Sequence, residues 1–278
     1  IDSADDLPVG WTDEQTGGHY RLVRREDDAL FGFVVGPQSV KKYLYPPRLT
    51  LFSVEKRNDR VSIVESSEEV PRYAFVGMRP CEVAAMQIQD RVFLEGPYRD
   101  VEYGQRREGA LIVAVNCVVT GGTCFCSSMG TGPRATEGFD LSVTELLTPE
   151  SHRFLIEIGT PRGEQIMADV PHRAAAEEEL GVADRLLEAA GNRMGRSLDT
   201  AGLKESLQAS LESPHWEQVA ARCLGCANCT MVCPTCFCAT VEDSQSLDGT
   251  KADRTRLWDS CFTTEFSYIH GGALRTSG

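Results

Sequence analysis

The chain has 278 residues and a mass of 30.5 kDa, enough to bury the core of one large domain or two modest ones. Its 28 Lys and Arg face 41 Asp and Glu, a formal charge of −13 and a pI near 4.9, which argues against a sequence-independent grip on nucleic acid or an anionic membrane. Eleven cysteines, clustered at short spacings, are unlike a secreted disulfide framework and read as ligands kept in a reducing compartment. With no apolar run of bilayer length and no secretory n-region and h-region, the expectation is a soluble, cytoplasmic protein. The start at Ile1 without a methionine, and the stop at Gly278, read as part of a longer chain.

In chain order, short β-type runs come first: "LFGFVVG" at 30–36, "RLTLFSVEK" at 48–56, "RYAFVGM" at 72–78 and "ALIVAVN" at 110–116. Between the last two, "RPCEVAAMQIQDRVF" at 79–93 has helical spacing at Val83, Met86, Ile88 and Phe93, with Pro80 near its start. Strand, helix, strand predicts an α/β domain with a mixed sheet over residues 1–170. "SHRFLIEIGTPRGEQIMADV" from Ser151 reads as a hairpin turning at "GTPRGE". From Pro171 the chain becomes rich in Ala, Leu and Glu, and residues 171–278 read as a helical segment leading into a mainly helical ferredoxin-like module.

"CLGCANCTMVCPTCFC" places six cysteines within residues 223–238. Cys223, Cys226, Cys229 and Cys233, followed by Pro234, reproduce the C-x2-C-x2-C-x3-C-P run of bacterial-type ferredoxins. Thiolates two residues apart let one loop wrap three irons of a cubane, while the fourth cysteine points away toward a neighbouring cluster. Zinc sites usually combine two separated C-x2-C pairs, so a zinc-stapled structural or regulatory protein is the competing class. The neighbouring cluster needs further ligands: either a mirrored motif beyond Gly278, which is favoured, or Cys236, Cys238 and Cys261.

The tetrapeptide "TCFC" of residues 235–238 also occurs at 123–126. Cys81 and Cys117 each follow a predicted strand. If those strands are parallel neighbours, both thiols emerge at one carboxyl edge, with Cys124 and Cys126 in the glycine-bearing loop that follows. An additional [4Fe–4S] cluster on Cys81, Cys117, Cys124 and Cys126 is one reading; small buried side chains are the other. Cys81 would also sit at a helix N-terminus, which favours a thiolate. The five histidines show no ligand spacing, and His270 reads as a turn residue.

"GMRPCEVAAMQIQDRVF", "NCVVTGGTCFCSSMGTGP", "GFDLSVTELL", "RCLGCANCTMVCPTCFC" and "LWDSCFTTEFSYIHGG" together resemble the iron–sulfur β subunit of cytoplasmic bidirectional [NiFe] hydrogenases, the sulfhydrogenases. The related iron–sulfur subunit of anaerobic sulfite reductase is similar. The resemblance implies an electron-transfer subunit, not itself catalytic, working between a flavin-containing γ subunit that handles NAD(P)H and the hydrogenase small and large subunits. With the sulfite reductase alternative, the partner is a sirohaem (siroheme) protein. It also implies Cys223, Cys226 and Cys229 as ligands of one [4Fe–4S] cluster and Cys233 as a ligand of a second. Two clusters are expected in a full-length protein; a third belongs to the cluster reading of Cys81, Cys117, Cys124 and Cys126 on the α/β domain.

Overall fold

The computed structural model describes residues 3, 6–33, 36, 38–58, 60–65, 69–263, 266, 268–269 and 271–273. In chain order the elements begin with β1 (Trp11–Thr16), β2 (His19–Arg24), α1 (Lys41–Leu44), β3 (Arg48–Arg57), β4 (Arg60–Glu65) and β5 (Ala74–Met78). Next come α2 (Pro80–Phe93), α3 (Val101–Gly109), β6 (Leu111–Val115), β7 (Leu141–Thr148), β8 (Ser151–Ile158), α4 (Pro161–Ala168) and α5 (Glu177–Asn192). The chain continues through α6 (Leu203–Ala209), α7 (His215–Ala220), α8 (Asn228–Val232), β9 (Ala239–Gln245), β10 (Lys251–Trp258) and the short pair β11 (Tyr268–Ile269) and β12 (Gly272–Ala273). Two compact units divide these elements.

The first unit comprises Ile1–Gly36, Arg72–Arg91 and Gly109–Leu203. Its sheet has the order β5–β6–β7–β8, with β5, β6 and β7 parallel and β8 antiparallel to β7, so the expected mixed sheet is present. The central strand β6 is an apolar run that buries Ile112, Ala114 and Val115 almost completely, as a strand covered on both faces must. On the helix α2, Val83, Met86 and Gln89 are buried at a three-residue spacing, whereas Ile88 is turned to solvent. Leu146 and Leu155 of the β7–β8 pair form a core cluster with Ala183 of α5.

Buried polar groups then lock the strand ends. Asp140, just ahead of β7, accepts from the Ile112 amide at 2.8 Å and from the Thr160 hydroxyl at 2.6 Å. Asn116, just after β6, donates to the Thr144 hydroxyl at 2.9 Å and accepts from the Ala135 amide at 2.8 Å. Both ends of β6 are therefore fixed relative to its neighbours, and the residue after Asn116 is Cys117.

Two expected elements take other forms. The second half of the hairpin expected after Ser151 is the helix α4: Thr160 is extended, its hydroxyl accepts from the Gly163 amide at 3.2 Å, and Pro161 follows at the first helical position. Capping chemistry outweighs the glycine turn, and β8 pairs with β7 instead. The strand expected at Leu30 is irregular from Leu30 to Phe33, while Val34 and Val35 lie outside the described residues. Its backbone groups are taken by side chains: Glu145 accepts from the Leu30 and Phe31 amides at 2.7 and 3.1 Å, and Arg79 donates to the Phe31 and Phe33 carbonyls at 2.7 and 2.5 Å.

The second unit comprises Pro37–Pro71, Val92–Glu108 and Lys204–Gly278. Its sheet, in the order β4–β3–β10–β9, is antiparallel throughout. Helices α6 to α8 lead up to and through the cysteine run, but the chain beyond it is strand, where a mainly helical module was expected. The physical cause is a tight turn at Asp248 and Gly249: Asp248 accepts from the Thr250 amide at 3.0 Å, and Gly249 has φ +70°. A stack of Tyr45 on Phe93 at 4.7 Å, and of Phe93 on Tyr103 at 4.8 Å, forms the aromatic core of this unit. The Arg256 guanidinium lies over Tyr45 at 4.3 Å and pairs with Asp100.

Glu145 is 3% exposed and serves two backbone donors of a segment without strand partners. Glu145→Ala leaves both half-buried amides without this acceptor, and is expected to cost about 1–2 kcal/mol in urea unfolding, with Glu145→Gln losing less. Wild-type stability in the Ala variant would show that the Leu30–Phe33 segment is held by something else.

Candidate metal centres

The parallel pairing of β5 with β6 does what the thiols at its end require. Cys81 is the second residue of α2, three residues past the end of β5, and Cys117 lies two residues past the end of β6, both at the carboxyl edge of the sheet. Cys117 is buried, and its amide donates to the Pro133 carbonyl at 3.0 Å. The loop carrying Cys124 and Cys126 is pinned to the chain beyond α5: the Arg196 amide donates to the Cys124 carbonyl at 3.1 Å, and the Cys126 sulfur lies 3.8 Å from the Met194 sulfur. An added Cβ at Gly132 would meet the Cys126 sulfur at 2.8 Å, so the backbone there passes too close to the thiol for any side chain.

The electrostatics of these four sulfurs follows from their sharing one place. Cys81 keeps part of its surface open, yet desolvation of its sulfur, and then the neighbouring Cys117, Cys126 and Cys124, push its thiol up to about 12. Cys126 is pushed up to about 11 by burial, then by Cys117 and Cys124. Burial also raises Cys117, while the Arg79 guanidinium, hydrogen-bonded to it and itself 9% exposed, pulls the other way. The helix terminus at Cys81 does not yield the expected thiolate in the metal-free protein, because loss of solvent and three sulfur neighbours outweigh the helix dipole. A gathered set of thiols that hold their protons against one another is one that a bound metal relieves, since metal displaces those protons.

The main run is built differently. Cys223, Cys226 and Cys229 are exposed, the first two on a coil between α7 and α8 in which Gly225 has φ +62° and Ala227 φ +60°. The Gly225 amide donates to the Cys223 sulfur at 3.4 Å, the backbone-to-sulfur arrangement that the spacing predicts. Cys229 lies on α8, and Cys233 caps its end, with its sulfur 3.2 Å from the Thr235 hydroxyl. Cys236 and Cys238 are half-buried, with a hydrogen bond between their side chains, and Cys238 is pushed up to about 11 by burial and then by Cys236. Cys261 is half-buried beside Cys238.

Among the described residues, no three Cys, His, Asp or Glu side chains are set to hold a single metal ion. The donor sets are all thiol, the soft ligands that suit iron–sulfur clusters, and the close backbone at Gly132 and the amide at Cys223 fit sulfur ligands of such a cluster. Two buried cations near the thiols escaped the sequence reading, Arg79 beside Cys117 and Lys41 near Cys233, Cys236 and Cys238. For Arg79 the trace was its place two residues before Cys81; Lys41 left none. His270 lies outside the described residues.

Residues 222–278 match the model of the 4Fe-4S dicluster domain. Over 239 residues, 84% of the chain, the sequence is 33% identical to the sulfhydrogenase 2 subunit beta of Pyrococcus furiosus. The chain is a homologue of the sulfhydrogenase β subunit. It spans 66% of that relative's length. No solved structure matches it. The family model and this likeness both point to iron–sulfur chemistry, and no helix among the described residues is long and apolar enough to cross a membrane.

In the metal-free homologue, Cys81 and Cys126 keep their protons past the ordinary value of 9.0, to about 12 and about 11. The unfolded chain gives up those protons at the ordinary value, so their contribution to stability is whole below pH 9.0 and falls as pH rises toward about 12. Trapping with iodoacetamide at about pH 8 should label both thiols at least about tenfold more slowly in the folded metal-free chain than in urea. Equal rates would mean that the four thiols are not gathered.

Proposed function

We propose that the chain relays electrons through [4Fe–4S] clusters in a cytoplasmic hydrogenase-type complex, between a flavin-containing subunit that handles NAD(P)H and the small and large subunits of a [NiFe] hydrogenase. The observation that carries this reading is the ferredoxin-type cysteine run, folded with a backbone amide on the Cys223 sulfur inside a dicluster domain. The name of the Pyrococcus furiosus relative favours a hydrogenase over a sulfite reductase complex.

When bound, such clusters each take up and release one electron at a time. The chain's own residues do the rest. Cys223, Cys226 and Cys229 hold one cluster and Cys233 reaches toward a second. Cys81, Cys117, Cys124 and Cys126 hold an additional cluster on the α/β sheet edge. Gly225 donates a hydrogen bond to a ligand sulfur, and Arg79 places a buried positive charge beside Cys117; both favour the reduced, more negative state. The expected ferredoxin-like arrangement of the C-terminal module belongs to this reading, as does the division into an α/β domain at 1–170 and a cluster module at 171–278. In such a complex the chain carries electrons while hydrogen is activated on a partner.

The test is anaerobic isolation of the complex with wild-type chain and with Cys226→Ser. Electron flow from NAD(P)H to the hydrogenase is expected to fall by about tenfold or more, with loss of iron and acid-labile sulfide. Full electron flow in the variant would refute the relay. Zinc without labile sulfide in the wild-type chain would replace it with a zinc-stapled structural protein.

A further inference from the structure

The three residues between Cys229 and Cys233 decide where the ferredoxin-type run sends its last two thiols. Thr230, Met231 and Val232 complete α8, and Cys233 leaves it with extended backbone, at φ −64° and ψ 122°. The fourth cysteine therefore departs from the helix that carries the third. A helix of five residues has too few internal hydrogen bonds to persist alone. Inside it the Cys233 amide donates to the Cys229 carbonyl at 3.2 Å, and the Thr230 hydroxyl donates back to the Ala227 carbonyl at 2.7 Å. The Thr230 and Met231 carbonyls are among the last four, which a helix leaves without internal partners.

What answers those two carbonyls is a cation from far upstream. Lys41 is 3% exposed, and its ammonium donates to the Thr230 and Met231 carbonyls at 3.2 and 2.9 Å. The same ammonium lies 4.0 Å from the centre of the Trp258 ring. Trp258 in turn holds the residues after α1: its indole donates to the Tyr45 carbonyl at 3.0 Å and its amide to the Pro47 carbonyl at 2.9 Å. Leu44 and Tyr45 are buried. The chain of contacts thus runs from β10 through Trp258 and α1 to the spacer of the run. Burial pulls the Lys41 pKa down, and the Cys236, Cys233 and Cys238 sulfurs act the other way. An ammonium out of water is costly unless acceptors or negative charge stand beside it, and here both do.

We propose that Lys41 is a positioning residue of the ferredoxin-type run: it clamps the spacer that aims Cys229 and Cys233 at different clusters, and its fixed charge raises the reduction potential there. This rests on the iron–sulfur reading above and leaves the ligands as that reading has them. The hydrogen bonds of the ammonium go to backbone carbonyls, so Lys41 acts on the clusters through the ligand-bearing segment and through space. A positive charge that stays in place when an electron arrives favours the reduced, more negative state.

The experiment uses the anaerobically isolated complex with wild-type chain, Lys41→Met, Lys41→Gln and Lys42→Gln. It reads iron and acid-labile sulfide, the rate of iron release to a ferrous chelator, and cluster potentials in an EPR-monitored titration. Lys41→Met removes both charge and donors, and should release iron at least about fivefold faster, the loss of about one net hydrogen bond. Lys41→Gln retains a shorter donor without the charge, and should release iron more slowly than the Met variant. Both should lower the potential of at least one cluster, whereas Lys42→Gln, which removes an exposed charge one residue away, should match wild type in every readout. Wild-type release in Lys41→Met overturns the clamp. Unaltered potentials in both Lys41 variants overturn the role of the charge, as does an equal lowering in Lys42→Gln. Where Lys41→Met assembles no complex, Lys41→Gln carries both readouts. A wild-type complex without iron and labile sulfide in this chain would instead sink the iron–sulfur reading itself.

Discussion

Several thiolates can share one buried place only if positive charge is placed among them. Sulfurs that lose water and face other sulfurs hold their protons, as the raised values at Cys81, Cys126 and Cys238 express. The fold places a buried cation near each group of sulfurs, Arg79 beside Cys117 and Lys41 near Cys233, Cys236 and Cys238. Both cations are buried and held by backbone carbonyls, so their positions are set by the fold. A fixed charge of this kind changes the energy difference between oxidised and reduced states without moving when the electron arrives.

Gathering the thiols is a problem of chain geometry, and the two units solve it with different sheets. In the first, parallel strands β5 and β6 end at the same edge, and each is followed shortly by a cysteine. Asp140 and Asn116 hold the two ends of β6, so the Cys117 position inherits the rigidity of the buried sheet. In the second, an antiparallel hairpin brings the residues that precede β9 back to those that follow β10. Parallel strands collect successive ends through a helical crossover; a hairpin collects a start and a finish. Cys81 and Cys117 in the first unit, and Cys238 and Cys261 in the second, thus stand close to paired strands, so strand pairing fixes their positions.

The exposed run of Cys223, Cys226 and Cys229 stands apart from both. Its thiols are open to solvent and its backbone turns through left-handed residues at Gly225 and Ala227. Here the ligands are local in sequence, so a single short stretch presents them, and sheet packing contributes little. That difference also explains why the ferredoxin run was legible from spacing alone, whereas the two other sets of thiols were only suspected.

The sequence by itself determined the iron–sulfur class, through the C-x2-C-x2-C-x3-C-P spacing, and the β5–α2–β6 unit, through apolar runs around a helical period, because both are local patterns. It also placed Cys81 and Cys117 just beyond strands. Only the tertiary structure decided what depends on contacts distant in sequence: that Thr160 caps a helix where a strand was expected, that Glu145 and Arg79 hold the Leu30–Phe33 backbone out of any sheet, and that Lys41 lies beside thiols some two hundred positions later. A lysine has no visible partner in a linear reading, since its burial is determined by strands whose register only folding sets.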